Sequence, residues 1–158
     1  MPALLQIGQR APGFTLYDSD KNQISLEDQK GNNVLLLFFP LAFTKTCTAE
    51  LCSIRDNIGS YNAVQAKVFG ISVDSLYTLA KFKAEQNLNF SLLSDFNKEV
   101  SHSYGVLYET FSYGMMGVSK RAAFVIDKQG NIEYMEVMEN SSEQPDFDRI
   151  NKKLAELV

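Results

Sequence analysis

At 158 residues, 45% of them hydrophobic, the chain has the length of one ordinary globular domain and enough apolar residues to bury a core, so a single domain over residues 1–158 is expected. The formal charge is −4 and the lysines and arginines are scattered, which leaves no electrostatic footprint for nucleic acid. The start, MPALLQIGQRAPGF, lacks a basic segment followed by a long apolar one, and no run approaches the roughly 18 residues a membrane span needs, so a cytoplasmic protein without membrane contact is expected.

The first clear element is NVLLLFF (Asn33 to Phe39), continuously apolar from Val34 and bounded by Gly31 and Pro40. Such a run suits a strand covered on both faces, near the centre of a parallel sheet. Cys47, Leu51, Ile54 and Ile58 then fall at i, i+4, i+7 and i+11, one stripe of an amphipathic helix whose start carries Cys47. KVFGISVD reads as a second buried strand. SLYTLAKFKAEQ follows as a helix with Leu76, Leu79, Ala80 and Lys83 on one face behind an Asp74 or Ser75 cap.

FSLLSD gives a short strand and NKEVSHSYG a short helix ending at Gly105. Residues 107–120, LYETFSYGMMGVSK, form the one long loop, and loops of that length are often functional. RAAFVID, the turn KQG and NIEYMEVM read as an antiparallel hairpin. PDFDRINKKLAELV closes the chain as a helix with Phe147, Ile150, Leu154 and Leu157 at helical spacing. The order of elements is that of an α/β layer fold with a mixed central sheet flanked by helices.

Only two cysteines occur, too few for a disulfide scaffold, and in a reducing compartment such a pair is more often transient or catalytic than structural. A thiolate is the nucleophilic form of cysteine, and the peptide dipoles and unpaired N–H groups of a first helical turn favour it. By position Cys47 is therefore the activated candidate, or else a small buried hydrophobe at the head of its stripe. Cys52 lies about 140° further round the same helix, at a Cα separation of about 8.6 Å. A disulfide closes only below about 7 Å, so a Cys47–Cys52 bridge requires the helix to unwind, and the alternative is that Cys52 merely fills space. Adding His102 gives three possible zinc ligands, one short of a structural site and without close pairs. No dinucleotide, phosphate-loop or serine-hydrolase motif occurs.

Pro40, Thr44 and Cys47 form P-x-x-x-T-x-x-C between an apolar strand and a helix. With APGFTLYD, GISVDS, LLSD, YGV and RAAFVIDKQGNI in the same order, this resembles the peroxiredoxins, thiol peroxidases of thioredoxin-like fold with an N-terminal extension. The branch it resembles most is that of the bacterioferritin-comigratory proteins and one-cysteine alkyl hydroperoxide reductases.

The resemblance implies that Cys47 attacks hydrogen peroxide or a small organic hydroperoxide and becomes sulfenic acid, without metal, haem or flavin. It implies that Thr44 meets the peroxide or thiolate, Pro40 shields the sulfur from water, and Arg121 steadies thiolate and O–O bond. Glu50 would orient an arginine, or else is simply an acidic residue in a first helical turn. Cys52 stands where one branch keeps a resolving cysteine, and the resulting disulfide would be reduced by a thioredoxin-like or other thiol reductant. A one-cysteine cycle with an external thiol, or a redox sensor of the same fold with low turnover, are the alternatives. A thiol-disulfide oxidoreductase would need the absent C-x-x-C. Homodimers occur among similar proteins. The chain departs from many relatives in having no tryptophan, in Lys45 and Thr46 before Cys47, and in the 107–120 loop.

Overall fold

The computed structural model describes residues 4–158, so Met1–Ala3, part of the start read above, lie outside the described residues. Seven strands form one mixed sheet in the order β2-β1-β5-β4-β3-β6-β7. They are β1 (Thr15–Asp18), β2 (Gln23–Ser25), β3 (Asn33–Phe38), β4 (Ala66–Ser72), β5 (Ser91–Ser94), β6 (Ala122–Ile126) and β7 (Ile132–Val137). The helices are α1 (Lys45–Asp56), α2 (Ile58–Ala63), α3 (Leu76–Gln86), α4 (Glu99–Ser103) and α5 (Phe147–Glu156). The β3–β4 and β4–β5 pairs are parallel, and the remaining pairs are antiparallel.

Side chains alternate across a strand, and this explains the unbroken apolar run of β3. Leu35 and Leu37 of β3, with Phe39 just beyond it, enter the core shared with Leu51 and Ile54 of α1, Leu79 and Phe82 of α3, and Ile150 and Leu154 of α5. Val34, Leu36 and Phe38 enter the opposite core, with Val100 of α4, Tyr104 and Phe124. Both faces of β3 are thus covered, as the sequence predicts.

Several local expectations need correction. The stripe from Cys47 to Ile58 belongs to two helices, because Asn57 (φ −118°, ψ 16°) breaks the backbone and donates its side-chain N–H to the Ser53 carbonyl at 2.8 Å. Helix α1 begins at Lys45, so Cys47 is its third residue and not its first. The core face of α3 is Leu79 with Phe82, one residue round from the expected Ala80 and Lys83; Lys83 instead reaches Asp20 at 3.4 Å. Ser75, of the two cap candidates, accepts from the Thr78 N–H.

The 107–120 segment is partly ordered by its own backbone, with Tyr108 N–H donating to Val118 O (2.8 Å) and Gly117 N–H to Tyr108 O (3.2 Å). The β1–β2 ribbon at the sheet edge had only the APGFTLYD resemblance to mark it. Gly105 does close α4, with φ of +70°, a conformation that side-chain-bearing residues rarely take. No helix among the described residues is long and apolar enough to cross a membrane.

Candidate active site

The sheet itself brings the site residues together. β6 runs antiparallel to β3, with Ala122 opposite Phe38, so Arg121 lies at the end of β3 where the chain turns through Pro40 towards α1. The loop between them is pinned by Asp74, whose Oδ2 accepts from Ala42 N–H at 2.8 Å and from Ser72 Oγ at 2.7 Å. Phe43 adopts φ of +68° and packs its ring edge-on to Phe82, 5.1 Å between centroids.

Thr44 is the N-cap of α1, yet its side chain makes no capping hydrogen bond. Its hydroxyl donates back to the Leu41 carbonyl at 2.7 Å, which leaves Oγ1 an acceptor on the pocket side. The first helical bond runs from Thr48 N–H to Thr44 O, so the N–H groups of Lys45, Thr46 and Cys47 have no intrahelical partner. A helix start without a side-chain cap offers those donors to whatever anion or polar ligand enters.

Cys47 is wholly buried, and Arg121 is 1% exposed. Arg121 Nη2 donates to Cys47 Sγ at 3.2 Å and Nη1 donates to Glu50 Oε1 at 2.7 Å. Nε and Nη2 also donate to the Ser141 carbonyl at 3.3 and 3.0 Å. The planar fork is therefore committed on both edges, which fixes its orientation. Burial works against the Arg121 charge, but Glu50 and the Cys47 sulfur outweigh it and push the guanidinium pKa above its ordinary value.

Glu50 sits one turn after Cys47 on the same helix face and is fully buried. No acidic residue lies in the first turn of α1, so the helix-dipole reading of Glu50 gives way to ion pairing with Arg121. Burial pushes its carboxyl up to about 7, with Arg121 pulling in the opposite direction. Oε2 has no partner among the described residues, in keeping with a carboxyl whose charged form is only half compensated.

Pro40, Thr44, Lys45, Thr46, Cys47, Phe111, Arg121, Ser141 and Ser142 line a pocket of about 150 Å³, the opening through which a small molecule can reach the buried sulfur. Phe111 comes from the 107–120 loop. The structure thus gathers Pro40, Thr44, Cys47 and Arg121 around one cavity. Cys52 is not among its lining residues: it is half-buried on α1, its thiol free and donating to Gln86 Oε1 at 3.5 Å. His102 lies in a separate groove with Lys98 and Met116, and no three His, Cys, Asp or Glu side chains among the described residues are placed to share a metal ion.

Sequence reasoning missed Ser141 and had only a general expectation for Phe111. Ser141 acts through its backbone carbonyl, which carries no residue-type signature. Phe111 belongs to a loop with no periodicity to read.

The model of the AhpC/TSA family matches residues 7–135. Peroxiredoxin Bcp of Escherichia coli strain K12 is 38% identical over 133 residues, covering 83% of this chain and 85% of that protein. The crystal structure of peroxidoxin BcpB from Mycobacterium tuberculosis superposes with a TM-score of 0.82 at 30% identity, over 97% of this chain and 96% of that one. A peroxiredoxin-like protein from Aquifex aeolicus shares the fold with a TM-score of 0.89 at 24% identity, over 99% and 90% of the two chains. With a mixed sheet flanked by helices and a family match across most of its length, the chain belongs to the AhpC/TSA family and is a peroxiredoxin, a thiol peroxidase.

Proposed function

We propose that Cys47 is the peroxide-attacking sulfur, that Arg121, Thr44 and Pro40 serve it, and that Cys52 resolves the oxidised product. The observation that carries this reading is the buried Arg121 guanidinium donating to the buried Cys47 Sγ at 3.2 Å. A cation bonded to sulfur favours the thiolate over the thiol, and fixed donors aimed where charge develops lower a barrier most effectively away from bulk water.

The thiolate attacks one oxygen of ROOH, the S–O bond forms as the O–O bond breaks, and the departing RO⁻ takes a proton to leave as water or alcohol. Arg121 and the free N–H groups of the first helical turn stabilise the negative charge that moves from sulfur to oxygen. Thr44 Oγ1, its own proton engaged by Leu41, accepts from the peroxide O–H. Pro40, buried at the pocket wall, keeps water from the sulfur. Neither Thr44 nor Pro40 transfers a proton.

Cys47 sulfenic acid then condenses with Cys52: the S–S bond forms, the S–O bond breaks, and water leaves with the Cys52 proton. The five-residue spacing within a continuous α1 supports a bridge that exists only after local unwinding. A thioredoxin-like dithiol returns the pair to the reduced state, and the reducing cytoplasm is the compartment that suits such a cycle. A homodimer over the active-site loops belongs to this reading, supported by the exposed Phe43 and Met116 on the segments that carry Thr44 and Phe111.

Non-reducing peptide mapping after one equivalent of hydrogen peroxide tests the resolving role. The expected product is a Cys47–Cys52 bridge within one chain. Persistent Cys47 sulfenic acid with free Cys52 contradicts it in favour of a one-cysteine cycle. A bridge between chains contradicts it as well.

A further inference from the structure

The segment of α1 that carries Cys52 is tied at several points to the end of α3, and the tie has no part in binding peroxide. Arg55, one turn after Cys52, donates from Nη1 to the carbonyl of Gln86 at 2.6 Å. The Cys52 thiol donates to the side chain of the same residue. Asn89, just past α3, returns a hydrogen bond from Nδ2 to the Arg55 carbonyl at 3.2 Å.

Gln86 is the last residue of α3, followed by Asn87 in the left-handed conformation (φ 52°). The reversal at Asn87 satisfies the carbonyls of Lys83 and Ala84, and Arg55 supplies the donor for that of Gln86. A carbonyl at a helix C-terminus carries partial negative charge, so a guanidinium is its strongest side-chain partner. Arg55 is held for the task by its own ion pair with Asp56 at 2.9 Å.

We propose that Arg55 and Gln86 form a latch between α1 and α3 that restrains Cys52 and thereby sets the lifetime of Cys47 sulfenic acid. The inference rests on the reading that Cys52 resolves. For the disulfide to form, the helix between the two sulfurs unwinds, and Cys52 leaves Gln86. While the latch holds, the sulfenic acid remains exposed to a second ROOH, which converts it to sulfinic acid and releases ROH. Arg55 and Gln86 are positioning residues, since neither lines the peroxide pocket.

Stopped-flow mixing of the reduced full-length protein with hydrogen peroxide separates Cys47 oxidation from the slower disulfide step. In Arg55→Gln the first phase stays within about twofold of the parent, and the second accelerates about tenfold, the size of one charge-assisted hydrogen bond. In Gln86→Ala, which removes only the weak thiol contact, the second phase accelerates about threefold. Arg55→Lys, which keeps charge and donor, returns the second phase towards the parent rate. The sulfinic fraction at a fixed high peroxide dose falls in step with the acceleration.

An unchanged second phase in Arg55→Gln and Gln86→Ala, with the Cys47–Cys52 bridge still formed, overturns the latch while leaving the resolving role intact. A slower second phase in Arg55→Gln also overturns it, because Arg55 would then assist Cys52 and not restrain it. If the parent protein forms no Cys47–Cys52 bridge, the underlying reading fails and the latch with it. Loss of the first phase in Arg55→Gln overturns the separation of latch from peroxide site.

Discussion

Nη2 of Arg121 lies 3.2 Å from Sγ of Cys47 although 74 residues separate them in the chain. The contact exists because β6 runs antiparallel to β3 and ends beside the turn into α1. A lysine at position 121 keeps the charge but loses the fork that reaches Cys47, Glu50 and Ser141 together. Arg121→Lys is expected to slow Cys47 oxidation about a hundredfold, the usual cost of removing one preorganised donor. Single-turnover kinetics with hydrogen peroxide measure it, and a change below threefold would contradict the role.

Glu50 links the site to pH. Its folded-state carboxyl is pushed up to about 7 by burial, against an ordinary 4.5. Between these values the folded chain holds a proton that the unfolded chain has released, so this group's contribution to stability is greatest below about pH 4.5. It declines as pH rises and is lost by about 7. Urea unfolding at pH 5 and pH 8 is expected to show a drop of about 2 kcal/mol in the parent relative to Glu50→Gln, which has no proton to lose. Equal pH slopes in the two proteins would place the Glu50 carboxyl at its ordinary value.

The loop that presents Thr44 depends on Asp74. In Asp74→Ala the buried Ala42 N–H loses its acceptor, a loss of about 1–3 kcal/mol in unfolding free energy. Asp74→Asn retains an acceptor and is expected to recover part of it. Denaturant titration of the three proteins checks the order, and a neutral Asp74→Ala would remove Asp74 from the account.

Phe111 supplies an aromatic wall to the pocket, 5.2 Å from the Tyr108 ring centroid. Phe111→Ala is expected to lower kcat/KM for cumene hydroperoxide about tenfold, the value of roughly half a buried aromatic ring, and to change that for hydrogen peroxide less than threefold. Parallel losses for both peroxides would show that the ring holds the loop and not the substrate.

The sequence marks some of these residues and leaves others unmarked. The continuous apolar run of β3 and the spacing of Leu51, Ile54, Ile150 and Leu154 are periodic signals, and each folds as its period requires. Pro40, Thr44, Cys47 and Arg121 were marked by resemblance to peroxiredoxins, and the sheet register then puts them around one pocket. By sequence Glu50 fits either an arginine partner or a first-turn acidic residue, and the helix start at Lys45 places it beyond the first turn. The Ser141 carbonyl and the Arg55–Gln86 tie had no local pattern, because backbone acceptors and long-range side-chain partners are set by tertiary packing. The break at Asn57 is a single-residue backbone choice that helical periodicity does not encode.

The claim on which the rest depends is that the buried sulfur of Cys47, held by a guanidinium, reacts directly with peroxide. Rapid mixing of reduced protein with hydrogen peroxide, followed by quantitation of free and oxidised Cys47, tests it most directly. Oxidation of Cys47 orders of magnitude faster than a free thiol, retained in Cys52→Ser and abolished in Cys47→Ser, is the expected result. A Cys47 that oxidises no faster than a free thiol, or peroxidase turnover that survives Cys47→Ser, would contradict it.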